Sequence, residues 1–174
     1  MKKLSIAAFA AAALLPAAAH AQAYVQVETG LDAIHSNIGN DEGVQYGVSA
    51  GYEVPLGGSV FAGVEVGIAD SSTKECVAGT CLKSGRDLSA LLHLGTKLGE
   101  TNSVYALGGY TNARLKLTNG GSTIAAENGD GLRLGAGFKH SFGPNLFGKL
   151  EYRYSNYEGG VERHNGIVAI GMNF

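Results

Sequence analysis

The sequence predicts an all-β fold, eight strands closing into an antiparallel transmembrane β-barrel, preceded by a cleavable signal peptide. Three observations carry this expectation. Segment after segment alternates with period 2, and successive residues of a strand point to opposite sides of a sheet. The connections between segments alternate short and long. The last segment, Ile167-Val168-Ala169-Ile170-Gly171-Met172-Asn173-Phe174, puts Val168, Ile170, Met172 and Phe174 on one face and ends on an aromatic. In the segment before it, Leu146, Leu150, Tyr152 and Tyr154 share one face, and Lys149, Glu151 and Arg153 share the other. A soluble sheet turns such charges to water. A membrane barrel turns the apolar face to lipid and the charges to its lumen.

The chain has 174 residues, 27 of them glycine, a length that suits one domain. Met1-Lys2-Lys3 is a short basic start, Leu4 to Ala19 is an apolar run rich in Ala and Leu, and Ala19-His20-Ala21 gives a small-x-small cleavage pattern. Residues 1–21 therefore read as a secretory signal peptide, and 22–174 as the barrel domain. Removal of Lys2 and Lys3 takes the formal charge from −2 to −4. A mildly acidic chain argues against nucleic acid, which selects a basic surface. No other run is apolar for long enough to form a spanning helix. A membrane location then requires a closed barrel, because lipid offers no partner to open backbone groups.

The strands follow in order. Val25, Val27, Thr29 and Leu31 oppose Gln26, Glu28, Gly30 and Asp32, and a polar segment runs from His35 to Gly43. Val44, Tyr46, Val48, Ala50, Tyr52 and Val54 oppose Gln45, Gly47, Ser49, Gly51 and Glu53, up to a turn at Pro55-Leu56-Gly57-Gly58. The third strand sets Val60, Ala62, Val64, Val66 and Ile68 against Phe61, Gly63, Glu65 and Gly67; a long polar loop is expected from Asp70 to Arg86. The fourth puts Asp87, Ser89, Leu91, His93, Gly95 and Lys97 on the lumen face. Gly99-Glu100-Thr101-Asn102 turns into the fifth, from Val104, and a second long loop is expected over Thr118 to Asp130. Arg133, Gly135, Gly137 and Lys139 form the lumen face of the sixth. Gly143-Pro144-Asn145 leads to the seventh, and a loop at Glu158-Gly159-Gly160 to the eighth. Short turns at one end and long loops at the other are the asymmetry of an outer-membrane barrel. Eight strands leave an interior that side chains can fill.

A weak repeat links three hairpins. Gly51, Gly95 and Gly137 each precede an aromatic by ten residues: Phe61, Tyr105 and Phe147. Glycine and aromatic are expected to share the lumen. In the fifth strand Asn112, Arg114 and Lys116 alone would favour the opposite facing; the repeat turns Tyr105 and Leu107 inward and leaves Arg114 and Lys116 above the bilayer.

Gly137-Phe138-Lys139, the Gly143-Pro144-Asn145 turn, Glu151-Tyr152-Arg153-Tyr154 and the terminal Phe174 resemble the eight-stranded family of the outer-membrane protein A transmembrane domain, in particular its small single-domain porin-like members. The resemblance covers the whole mature chain and implies a bacterial outer-membrane location. It implies a structural or surface-interaction role, or a small passive pore, among outer-membrane lipid and lipopolysaccharide. It also implies a monomer whose C-terminal strand, ending at Phe174, is read by the barrel assembly machinery. The peptidoglycan-binding domain of full-length members is not in this sequence.

Catalytic and metal chemistry find little support in the sequence. Cys76 and Cys81 are its only cysteines, separated by four residues, Val77-Ala78-Gly79-Thr80, one of them a glycine. In an exported chain that spacing is expected to be a disulfide that shapes a loop. His35, His93, His140 and His164 show no ligand spacing, no metal or other cofactor is expected, and His93 reads as a hydrogen-bonded interior residue. Lipid A deacylases share the architecture, with a lipid-facing His and Ser two residues apart. In Arg153-Tyr154-Ser155-Asn156 an arginine stands where that histidine is needed, which leaves the serine without a general base. The lumen face offers Glu28, Glu53, Glu65, Asp87 and Glu151 against Lys97, Arg133, Lys139, Lys149 and Arg153. A register pairing Gly137 with Phe147 puts Arg133 opposite Glu151, with Arg153 two residues further on. An Arg133–Glu151–Arg153 network is therefore expected to plug the barrel.

Overall fold

The computed structural model of the chain describes residues 22–36, 39–77, 80–119, 122–158 and 160–174. The expected signal peptide, 1–21, lies outside the described residues. The strands are β1 (Gln22–Ser36), β2 (Gly39–Gly57), β3 (Val60–Ser71), β4 (Lys74–Val77), β5 (Thr80–Leu98), β6 (Asn102–Asn119), β7 (Ser122–Ser141), β8 (Leu146–Tyr157) and β9 (Val161–Asn173). Eight of them form a ring. Each long strand pairs antiparallel with the next, β3 passes over β4 to pair with β5, and β9 returns to β1. The short β4 folds back on the start of β5 outside that ring.

The alternation decides what faces where. Leu132 is 70% exposed and its neighbour Arg133 only 1%, so the aliphatic face is outermost and the charged face is enclosed. The same inversion holds for Leu92 against His93 and for Leu150 against Glu151. An exterior of Val, Leu, Ile and Tyr suits lipid, and a closed ring leaves no strand edge unpaired within it.

The short connections are where the sequence puts them. Gly57 and Gly58 turn with φ of 123° and 57°, and Gly99 with φ of 77°, conformations open to glycine and costly for other residues. The two long polar segments differ from expectation. Most of Asp70–Arg86 and Thr118–Asp130 is strand: β4 with the start of β5, and the ends of β6 and β7. Neither segment contains proline, and continuing the ladder past the barrel pairs β4 with β5 and the end of β6 with the start of β7, which gives backbone groups partners along those edges.

The glycine–aromatic repeat has a structural cause. Tyr24 lies directly opposite Gly51, Phe61 opposite Gly95, Tyr105 opposite Gly137, and Phe147 opposite Gly171. A Cβ on any of these glycines would come within 2.3 to 2.5 Å of the ring facing it. Each ring therefore occupies the space its glycine leaves. The glycine and the aromatic ten residues later do share the lumen, but the ring each glycine receives comes from the preceding strand. Tyr105 and Leu107 point inward and Arg114 is exposed, as the repeat requires.

Candidate functional site: an ion-paired lumen

Period-2 alternation delivers an acid, a base or a hydrogen-bonding group to the lumen from every strand of the ring. They meet in three tiers. In the middle tier the guanidinium of Arg153 grips Glu28 with two bonds of 2.9 Å, and its Nε donates to Glu151 Oε2 at 2.7 Å. Lys149 Nζ donates to Glu65 Oε2 at 3.0 Å. Two tyrosines complete the shell: Tyr24 Oη donates to Glu65 at 2.7 Å and Tyr105 Oη to Glu151 at 2.5 Å. All of these groups are buried. Three carboxylates face two cations, and the tyrosine hydroxyls offset part of that excess. His93 stacks on Tyr105 at 5.1 Å between ring centroids.

The tier nearer the long hairpins is built on Asp32 and Asp87. Arg163 donates to Asp32 through Nε at 2.6 Å and Nη2 at 2.7 Å, and to Asp87 through Nη1 at 3.0 Å. Arg133 Nη2 meets Asp87 Oδ2 at 2.5 Å, and its Nε donates to Ser155 Oγ at 2.8 Å. Thr111 and Tyr157 also donate to Asp87; Asn165, Thr73 and Ser71 donate to Asp32. Each carboxylate is thus saturated, as buried charges require. At the turn side, Lys139 pairs with Glu53 at 2.9 Å and sits 4.4 Å from the centroid of the Phe147 ring. Below it opens a vestibule of about 800 Å³.

The expected network is redistributed. Glu151 and Arg153 meet, and Lys149, Glu65 and Lys139 lie in the lumen, but Arg133 does not reach Glu151. Gly137 pairs with Glu151 and Ser141 with Phe147, so Arg133 lies opposite Ser155. The hairpin is tighter than expected: β7 runs on to Ser141, and Phe142 N donates to Leu146 O. A slip of four residues is even, so every side chain keeps its face while its partner changes. Lys97 is also corrected. It is exposed at the vestibule and has no ion pair among the described residues, because its strand ends there. Sequence reasoning missed the Arg163–Asp32 pair. Carrying the alternation of β9 back from Ile167 through Asn165 puts Arg163 inward. Cys76 and Cys81 are directly opposed in the β4–β5 ladder. Phe174 N donates to Ala23 O at the seam between the first and last strands.

A closed ring with an aliphatic exterior and an ion-paired interior defines a transmembrane β-barrel. The profile of the outer membrane protein beta-barrel domain matches residues 4–174, and the chain belongs to that family; it is a bacterial outer-membrane protein. No curated protein matches it. Among solved structures it is similar to Neisserial surface protein A (NspA), with TM-score 0.70 and 18% identity over 87% of this chain and 97% of that one. It is also similar to Ail, the attachment invasion locus protein of Yersinia pestis, with TM-score 0.68 and 16% identity over 88% and 98%. OprG of Pseudomonas aeruginosa aligns at TM-score 0.53 and 9% identity over 88% and 95%. At these identities the likeness is one of fold.

Proposed function

We propose that this protein is a sealed barrel with a structural and surface-presenting role in the outer membrane, conducting at most through a small pore, and not an enzyme. The observation that carries this is the middle tier, where Lys149 and Arg153 bind Glu28, Glu65 and Glu151 across the lumen with every group buried. A selective channel favours rings of one sign over such pairing. The non-enzymatic reading draws on β8: Arg153 and Ser155 both point into the lumen, so neither meets a lipid substrate. In this reading the chain is exported by its N-terminal signal, inserted through recognition of the strand ending at Phe174, and stands as a monomer among outer-membrane lipid and lipopolysaccharide. Cys76 and Cys81 are joined at the tip of the β4–β5 hairpin.

Ail has been solved with the heparin analogue sucrose octasulfate. The residues here that lie beyond the barrel are less suited to a sulfated ligand. Asp41, Glu42, Asp70, Glu75, Glu127, Asp130, Glu158 and Glu162 outnumber Lys74, Lys83, Arg86, Arg114 and Lys116. Recordings from the purified protein in planar bilayers, with lipopolysaccharide acyl analysis of the same preparation, test the proposal. Closed or small, infrequent openings and unaltered acyl chains are expected. A large stable conductance makes the protein a porin, and acyl loss or gain makes it an enzyme.

A further inference from the structure

Ring closure brings together residues from the two extremes of the chain. At the end nearer the long hairpins, the outward face of β1 and β9 carries His35 directly opposite Glu162, and Ala33 directly opposite His164. On β8, Tyr154 is opposite His164, and Tyr152 is opposite Gly166, the next outward position along β9. Tyr152, His164 and His35 therefore lie on one diagonal across three strands. His164 is in the middle of it: Nδ1 is 2.6 Å from Tyr152 Oη, and the ring is 5.4 Å from that of His35, with the planes at 89°. Because Nδ1 is engaged on the Tyr152 side, Nε2, across the ring, faces His35. Glu162 stands beside both histidines and accepts from Tyr154 Oη at 3.1 Å.

The neighbourhood favours a cation. None of these outward positions is a lysine or arginine, Glu162 is exposed, and β2 places a second acid, Glu42, opposite Ala33. An aromatic girdle at the membrane interface accounts for Tyr152 and Tyr154, but it gives no reason for an acid beside two histidines. The ring spacing also fits one ion shared between the imidazoles. With metal–nitrogen bonds of about 2.0–2.1 Å, an ion lies about 3.2 Å from each ring centroid, and a tetrahedral angle sets the centroids about 5.2 Å apart. The separation here is 5.4 Å.

We infer that His35, His164 and Glu162 form a surface site for one transition-metal ion of the Zn(II) or Cu(II) class. Two imidazoles select such an ion over Mg(II) or Ca(II), which take oxygen ligands. His164 coordinates through Nε2 and donates its Nδ1 hydrogen to Tyr152 Oη, the kind of support that orients a metal-bound histidine. His35 supplies the second nitrogen from β1. Among the described residues no three such groups are already gathered round one point. The Glu162 carboxylate reaches the ion by giving up its bond from Tyr154, an exposed hydrogen bond of small net strength. Water completes the shell. The ion thus clips β1 to β9 at the outer end of the closing seam.

The test is calorimetric titration of Zn(II) into the full mature protein, refolded in nonionic detergent without an affinity tag and stripped of metal by a chelator. One Zn(II) per barrel is expected, undisturbed by excess Mg(II). Tyr152→Phe should weaken binding about tenfold, and His35→Ala or His164→Ala by more. His140→Ala, at the opposite end of the barrel, should leave it unchanged. Heat-modifiable gel migration shows that each variant is a closed barrel. The electron paramagnetic resonance spectrum of Cu(II)-loaded wild type is expected to carry coupling to two imidazole nitrogens, and it decides the matter where a variant does not close. Binding undiminished in both histidine variants, displacement by Mg(II), or a Cu(II) spectrum without two imidazoles overturns the site.

Discussion

Lys149 and Glu65 stand on opposite walls of the barrel, four strands apart in either direction, and are joined at 3.0 Å across the full lumen. Arg153 anchors Glu28 and Glu151 beside them. Removing one partner of a buried cluster leaves an uncompensated charge. Glu151→Ala is therefore expected to cost about 3–5 kcal/mol where the site is dry, and less where water enters. Denaturant titration of the refolded protein in detergent measures the loss, and bilayer recordings should show more frequent openings in the variant. An unchanged midpoint together with unchanged conductance would mean that these pairs neither stabilise nor seal the barrel.

A second expectation separates the observed tiers from the single network read from the sequence. Arg133 contacts Asp87, and Arg153 contacts Glu151. A double-mutant cycle for Arg133→Met with Asp87→Asn should give a coupling energy of about 1 kcal/mol or more, and the cycle for Arg133→Met with Glu151→Gln one near zero. Strong coupling of Arg133 to Glu151 would restore the register with the wider hairpin.

The ring-on-glycine pairs make a steric prediction. Gly137→Ala puts a methyl where the Tyr105 ring lies and must displace the hydroxyl that donates to Glu151. Overpacking of this kind costs typically about 1–3 kcal/mol. The double variant Gly137→Ala, Tyr105→Leu should recover part of it in the same unfolding assay. No loss in the single variant would show that the wall yields freely at this point.

Cys76 and Cys81 face each other across the β4–β5 ladder. The exported protein, analysed by mass spectrometry without reductant, should be lighter than its reduced form by two hydrogen atoms. Quantitative thiol labelling of the unfolded, unreduced chain would contradict the bond. Its removal should alter recognition of the hairpin more than barrel stability, because the closed loop is short and lies outside the ring.

Deleting Phe174 removes the amide that donates to Ala23 O at the closing seam. Slower insertion into membranes containing the assembly machinery is expected, read as delayed heat-modifiability. Wild-type kinetics would leave the terminal residue without a part in assembly.

How much of this was legible in the sequence follows from the physics of strands. Facing was legible, since period 2 leaves two choices and a run such as Leu132-Arg133-Leu134 settles them. Strand number was legible because glycine and proline punctuate the turns. Register was not: nothing local to Gly143-Pro144-Asn145 says how far β7 continues before it bends. Partners across the ring, such as Lys149 with Glu65 or Arg163 with Asp32, depend on all the registers together, so composition could require ion pairing without saying which charges meet.

The pairing of β1 with β9, from Tyr24 opposite Asn173 to His35 opposite Glu162, sets an order of events. Every other ring contact joins consecutive strands or steps over the short β4, and can form as a local hairpin. Closure alone joins the two extremes of the chain, where the entropy lost in bringing the ends together is greatest. Until β9 arrives, β1 carries an open row of amides and carbonyls that hydrocarbon cannot satisfy. An incomplete sheet is therefore held out of the bilayer by its own first strand, and membrane entry and ring closure become a single step.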